Sequence, residues 1–241
     1  MDALIKIIFI SALENNLSLF LIIVLIIMNP TRICLIRHGE THWNTEKRIQ
    51  GHLDIDLNPV GLGQAESAAR YLVGHPVAAL YSSDLQRARQ TAERIAAALA
   101  LPFTQLPEFR ERSYGIFEGL TYNEARLRYP AEYPLFEARD ADYDFTGSGE
   151  SLCQFYRRVS NRLRALALAH AGQTVALVTH GGVLDIVNRF VRGTPLEAPR
   201  DFPIPNAGIN WLSVCGDTWT LDGWAQTAHL EAGGLDELPQ A

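Results

Sequence analysis

A chain of 241 residues with 47% hydrophobic and 20% charged side chains can bury a sizeable core, which excludes a disordered tail. Its 21 Lys and Arg against 27 Asp and Glu leave a formal net charge of -6, so the surface offers no basic coat for nucleic acid and any anion site must be a local pocket. The three cysteines, Cys34, Cys153 and Cys215, are odd in number and far apart; neither a disulfide framework nor a C-x-x-C metal or redox pair is available, which favours a reducing compartment, the cytoplasm.

Residues 1–28 differ in composition from the rest, with eight Ile and no Arg, Gly or Pro. The clean apolar run Leu17 to Met28 is shorter than the roughly 20 residues of a spanning helix. A membrane anchor is one reading. The preferred one takes Met28 as the true start, because Met28-Asn29-Pro30 leads directly into a first strand, and 29–241 as a single domain.

In chain order, Arg32 to Arg37, Val77 to Ser82 and Thr174 to Thr179 are short apolar runs that predict strands covered on both faces. Asn58 as N-cap and Pro59 at the first helical position predict a helix to about Val73, and Asp84 is expected to cap a second to about Leu101. The connection Pro130 to Gly149 mixes aromatic residues with Asp140, Asp142 and Asp144; it reads either as a lid or binding loop or as a solvated excursion. A third helix from Ser151 to Ala171 carries one apolar stripe, and Gly172 can end it. Beyond Ile186 to Val191 and a Pro-rich stretch from Pro195 to Pro205, late strands are expected at Gly208 to Val214 and Trp219 to Asp222. Strand followed by helix, repeated, predicts an α/β fold: a three-layer α/β/α sandwich with a mostly parallel sheet and helices on both faces.

Three predicted strands deliver polar residues at their carboxyl ends: Arg37-His38-Gly39, Ser82-Ser83-Asp84 leading to Arg87, and His180-Gly181-Gly182. Ligands of open α/β sheets bind at that edge. Arg87 in a first helical turn opposes the helix dipole, a conflict that an anion there would remove. Guanidinium forks suit phosphate, and the three glycines are expected to let backbone approach the bound group.

Leu35 to Thr41 (L-I-R-H-G-E-T), followed by Trp43-Asn44 and Gln50-Gly51, resembles the signature of the histidine phosphatase superfamily, the phosphoglycerate mutase-like fold. Further matches follow in the family's order at 57–65, 81–92, 109–119, 149–151 and 178–184. The resemblance implies that His38 accepts the phosphoryl group as a phosphohistidine. Arg37, Arg87 and His180 would surround its oxygens, Glu111 would protonate the leaving alcohol, and Asn44, Gln50, Gly51 and Tyr114 would line the substrate site. Glu118 is the nearest rival for the acid role, and taken on its own, without the resemblance, Glu111 reads as a surface carboxylate paired with Arg110 or Arg112. Two arginines and an imidazole supply positioning and charge compensation with no cofactor and no metal; a His38–His42 metal pair is disfavoured because Gly39 makes the segment a loop.

Mutases of this family carry a Lys shortly after the Glu-containing loop and a basic pair in the insert. Tyr122 stands at the lysine position, and the insert holds three aspartates beside Arg139. A rim that is acidic and aromatic predicts a phosphatase similar to the broad-specificity and alpha-ribazole branch, acting on a small-molecule phosphate ester. A mutase and a membrane-anchored phosphoprotein phosphatase are the alternatives. No nucleic-acid partner is expected, membrane contact is expected only if 1–28 are retained, and a homodimer is left open.

Overall fold

The computed structural model describes residues 29–230; the apolar segment 1–28, and with it the choice between anchor and upstream extension, lies outside the described residues. Six strands form one sheet: β1 (Thr31–Arg37), β2 (Val77–Ser82), β3 (Phe103–Gln105), β4 (Thr174–Thr179), β5 (Ile209–Cys215) and β6 (Thr218–Gln226). Their order is β3-β2-β4-β1-β5-β6. The first four run parallel, while β5 is antiparallel to β1 and β6 to β5. The helices are α1 (His42–Thr45), α2 (Pro59–Leu72), α3 (Gln86–Leu99), α4 (Tyr122–Arg128), α5 (Tyr133–Glu137), α6 (Leu152–Ala169) and α7 (Gly181–Arg192).

The continuous apolarity of β1 follows from burial on both sides. Successive side chains of a strand point to opposite faces. Ile33 and Leu35 pack with Phe155, Val159 and Leu163 of α6 and with Val183 and Val187 of α7. Cys34 and Ile36 pack on the other face with Ala68 and Leu72 of α2 and Ala88, Ala92 and Ile95 of α3. The result is the expected three-layer sandwich.

Local signals set most helix starts. Asn58 accepts the Gly61 N–H at 2.8 Å ahead of Pro59, and Ser151 and Gln154 form a capping box at the head of α6. The expected Asp84 cap is not made. Leu85 occupies the N-cap position of α3 with no side-chain bond, and Asp84 turns away to form a two-pronged pair with Arg110. The first-turn N–H of Gln86 is satisfied instead by Asp54 at 2.6 Å, from a loop 32 residues earlier.

The connection from 130 to 149 is not a solvated excursion. It folds into α5 and a loop that bury Tyr133 and Phe145 with Phe117 and Ile49, and Tyr114, Tyr122 and Phe136 pack against them. This is a small aromatic core of its own, set beside the carboxyl edge of the sheet.

Candidate active site

Strands β2, β4 and β1 are neighbours, so the three polar strand ends foreseen from sequence meet at one edge. The His38 and His180 ring centroids lie 5.2 Å apart. His38, Arg37, Arg87, Glu111, Asn44, Gln50, Gly51 and Tyr114 all line one cleft, and His180 sits wholly buried beside it. Lys47, Arg48 and Tyr122 line the same cleft. The two basic residues were not anticipated, although they fall in the loop between Asn44 and Gln50, which offered the only signal.

The nucleophile candidate is held in one tautomer. His38 Nδ1 lies 2.7 Å from its neighbour's carbonyl, Gly39 O, which accepts the ring proton and leaves Nε2 with its lone pair. Burial first, then Arg87 and Arg37, keep the imidazole pKa well below its usual value, so the ring is neutral at pH 7. His180 is depressed likewise, by burial and then by Arg87. Its Nε2 lies 2.8 Å from Ser83 Oγ, whereas its Nδ1 is buried with no hydrogen bond.

The guanidinium groups are fixed by main-chain carbonyls. Arg87 donates to Leu53 O at 2.9 Å and Gly51 O at 2.8 Å, and its Nε is buried without a partner. Burial brings it down to about 10, so it remains a cation at neutral pH. Arg37 donates to Ile204 O at 2.6 Å. Asn44 has its amide oxygen committed to a capping box with Thr41, so what it can present to the cleft is a donor.

Glu111 is not a surface carboxylate. It is 7% exposed, and its two oxygens accept the backbone N–H groups of Arg112 at 2.8 Å and Gly182 at 2.9 Å. Neither neighbouring guanidinium pairs with it: Arg110 goes to Asp84, and Arg112 donates to the carbonyls of Glu150 and Tyr143. The G-E-S run explains how the loop stays in place. Glu150 grips Arg158 of α6 at 2.8 and 2.6 Å, and Arg158 binds the carbonyls of Glu108, Arg110 and Glu111.

Glu118, the rival acid, has a different task. One oxygen accepts from His52 N, Tyr114 N and Ser113 Oγ at 3.1, 2.9 and 3.3 Å, which ties the Gly51 loop to the Tyr114 loop. Gly51 is glycine for two reasons: its φ is +52°, and a Cβ would fall 2.1 Å from that same oxygen.

Two expectations need correction. Gly39 and Gly182 do not make room for a ligand. A Cβ at Gly39 would fall 2.3 Å from Gly61 O of α2, and one at Gly182 would fall 2.1 Å from Glu111 Oε1, so both accommodate other parts of the protein. Nor is the rim acidic. Asp140 and Asp144 accept backbone N–H groups of their own turns, and with Asp142 they stay outside a side chamber that adjoins the cleft. That chamber, about 100 Å³, is aromatic and carries Arg112, Arg139 and Arg200 against Glu137 and Asp185. The insert contributes Arg139 and Glu137, and its three aspartates stay out of the lining. His42 is exposed, and among the described residues no group of three His, Cys, Asp or Glu is placed to hold a metal.

Paired neutral imidazoles beside buried guanidinium groups, with a buried carboxyl alongside, are chemically suited to a phosphoryl group. The comparisons with known proteins agree. Residues 33–227 match the family model of the histidine phosphatase superfamily, branch 1, and the chain belongs to that superfamily. It is 40% identical over 206 residues to phosphoglycerate mutase-like protein 4 of Arabidopsis thaliana, covering 84% of this chain and 88% of the relative. It is 39% identical over 208 residues to a metal-independent phosphoserine phosphatase of the same plant, covering 85% of each. Among solved structures, YhfR of Bacillus stearothermophilus superposes with a TM-score of 0.78 at 31% identity, covering 83% of this chain and all of that one. The chain is therefore a phosphatase, a phosphomonoester hydrolase of small phosphorylated metabolites that works through a phosphohistidine. No described helix is long and apolar enough to cross a membrane.

Proposed function

We propose that His38 is the phosphoryl acceptor, that Arg37, Arg87 and His180 hold the phosphoryl oxygens, and that Glu111 is the proton donor. His38 Nε2 attacks phosphorus as the P–O bond to the alcohol breaks, and Glu111 passes its proton to the departing oxygen. The carboxylate then takes a proton from water, whose oxygen attacks phosphorus. The P–N bond breaks, and inorganic phosphate and a neutral imidazole result. Ser83 Oγ accepts the Leu85 N–H; with its own proton donated to His180 Nε2, that ring would carry its proton on Nδ1, the tautomer this role needs.

The observation that carries this reading is the pair of buried polar atoms without partners, Arg87 Nε and His180 Nδ1, beside a neutral His38. An unsatisfied buried polar atom costs about 1–3 kcal/mol, and a phosphoryl dianion would supply the missing acceptors. The relative named a phosphoserine phosphatase, together with a small chamber lined by Arg112, Arg139 and Arg200 and by the carboxylates of Glu137 and Asp185, supports the phosphate of a small amino or hydroxy acid as substrate. Those same arginines and the relative named phosphoglycerate mutase-like support a second activity beside phosphate release, the interconversion of phosphoglycerates. The separated free cysteines support a cytoplasmic setting, and the continuity of the fold from Asn29 supports 29–241 as the catalytic domain.

Acid-quench and base-quench trapping during turnover of O-phosphoserine tests the roles. The expected phosphoenzyme survives base and is lost in acid. His38→Ala abolishes it and lowers kcat on the order of 10⁴-fold. Residual activity above a hundredth of wild type sinks the assignment.

A further inference from the structure

The side chamber adjoins the cleft where the leaving group must go. Tyr114 and Tyr122 line both spaces, and Gly182, whose N–H holds Glu111, stands in the chamber wall. The carboxyl that hands over the proton thus sits at the boundary between them.

Asp185 lies one turn beyond Gly182 on the same face of α7 and also lines the chamber. It is 6% exposed. One oxygen, Oδ2, accepts from Arg139 NH2 at 2.6 Å and from Arg189 Nε at 3.0 Å, which neutralises the charge. The other, Oδ1, is buried and has no hydrogen bond. Arg112, across the chamber, commits Nε and NH2 to main-chain carbonyls and makes no hydrogen bond through NH1. A residue with an unpaired, buried acceptor and a residue with an uncommitted guanidinium nitrogen thus share the wall of one small space.

We propose that Asp185 is a specificity-determining residue whose Oδ1 reads a hydrogen-bond donor, an ammonium or a hydroxyl, on the carbon next to the phosphorylated one, while Arg112 takes a carboxylate on that same carbon. The proposal rests on the assignment of His38 and Glu111 above, because those residues place the leaving group at the chamber mouth. The size of the chamber agrees: at about 100 Å³ it takes a group of a few heavy atoms, less than the benzene that fits a dry cavity of about 150 Å³.

The test compares three esters on the same enzyme: O-phosphoserine, 3-phosphoglycerate, and 3-(phosphonooxy)propanoate, which has the carboxylate but neither donor. In the wild type, kcat/KM for the better donor-bearing ester should exceed that for the third by about 10- to 100-fold, the worth of one hydrogen bond to a charged group. Whether the amine or the hydroxyl ester leads tells which donor is read. Asp185→Asn is the sharp variant. The two arginines demand an acceptor at the Oδ2 position, so the amide must turn its NH2 toward the ligand, and a donor replaces the acceptor. The ratio should then collapse to about one for O-phosphoserine, whose ammonium can only donate; the hydroxyl of 3-phosphoglycerate can accept from the new NH2, so for that ester the collapse is read in Asp185→Ala, which offers neither donor nor acceptor. A ratio that is unchanged in the variant that applies, or a wild type indifferent to the three esters while it hydrolyses them all, overturns the proposal. The ratio does not depend on how much enzyme folds. Failure of the wild type on all three esters and on p-nitrophenyl phosphate would instead refute the assignment of His38 and Glu111, and the inference with it.

Discussion

The sheet edge and the aromatic insert solve different problems with different materials. At the edge, His38, His180 and Arg87 are almost fully buried; Gly39 O fixes His38, the carbonyls of Gly51 and Leu53 fix Arg87, and the Ser83 hydroxyl fixes His180. Each is reached within a residue or a turn of a parallel strand, so the positions of the reacting groups follow from the sheet. The insert has no sheet to lean on. Phe117, Tyr133, Phe136 and Phe145 hold one another by edge and tilted ring contacts, with Arg112 over the Phe145 ring at 4.7 Å. The edge should therefore govern the rate on every ester, and the insert should govern which ester is accepted.

Glu111, at the junction, gives the largest effect. Glu111→Gln should cost on the order of 10²- to 10⁴-fold in kcat with alkyl phosphates and far less with p-nitrophenyl phosphate, whose phenolate leaves unaided. Equal losses on both would move the acid elsewhere and break the division between rate and selectivity.

Phe145→Ala probes the insert alone. Removing a fully buried Phe costs about 3–5 kcal/mol, and here the loss falls on the aromatic core and not on the sheet. Hydrogen exchange should rise across residues 114–149 while β1 and β4 stay protected, and KM for the small-acid ester should rise more than KM for p-nitrophenyl phosphate. Uniform loss of protection would mean that the two regions unfold as one.

Glu118 links the two loops of the cleft and is read as a positioning residue. Glu118→Ala removes an acceptor of three hydrogen bonds and should lower kcat/KM by about 10- to 50-fold, mostly through KM, since Gly51 also carries a carbonyl for Arg87. Glu118→Gln keeps an acceptor oxygen and should recover most of that activity. A proton donor would lose its function in both variants, so a dead Glu118→Gln refutes the positioning role.

The smallest effect is on stability against pH. His38 and His180 are held neutral in the folded state, mainly by burial, whereas in the unfolded chain they take up protons near pH 6.5. The unfolded state then binds more protons, so stability is greatest above pH 6.5 and declines as pH falls below it. The decline is at most about 1.4 kcal/mol per pH unit for each histidine. Urea midpoints at pH 7.5 and 5.5 should differ less in His38→Gln than in the wild type, and an identical difference would show that the depressed histidine does not contribute.

The sheet was legible because burial on both faces forces unbroken apolar runs. Val77 to Ser82 and Thr174 to Thr179 are strands over the residues expected, and Thr31 is the only addition to β1. The cap of α3 was not, because Asp84 had two compatible partners. Its own helix was the local one, Arg110 the distant one, and a charged two-pronged pair outbids a neutral N-cap bond.

Sequence pattern determined the fold class and the strand ends that carry His38, Arg87 and His180, because short-range periodicity specifies those; Glu111 as a neighbour of the site came from the family resemblance alone. Only the tertiary structure decided what each group touches. It kept the insert's aspartates out of the chamber lining and brought Arg139 and Glu137 into it, gave Glu118 to loop bracing, set Gly39 and Gly182 against Gly61 and Glu111, and left one oxygen of Asp185 unpaired in the chamber wall. These outcomes depend on chain segments that meet across tens of residues. Side-chain charge and hydrogen bonding constrain such meetings without encoding, in any local window, which partner is reached.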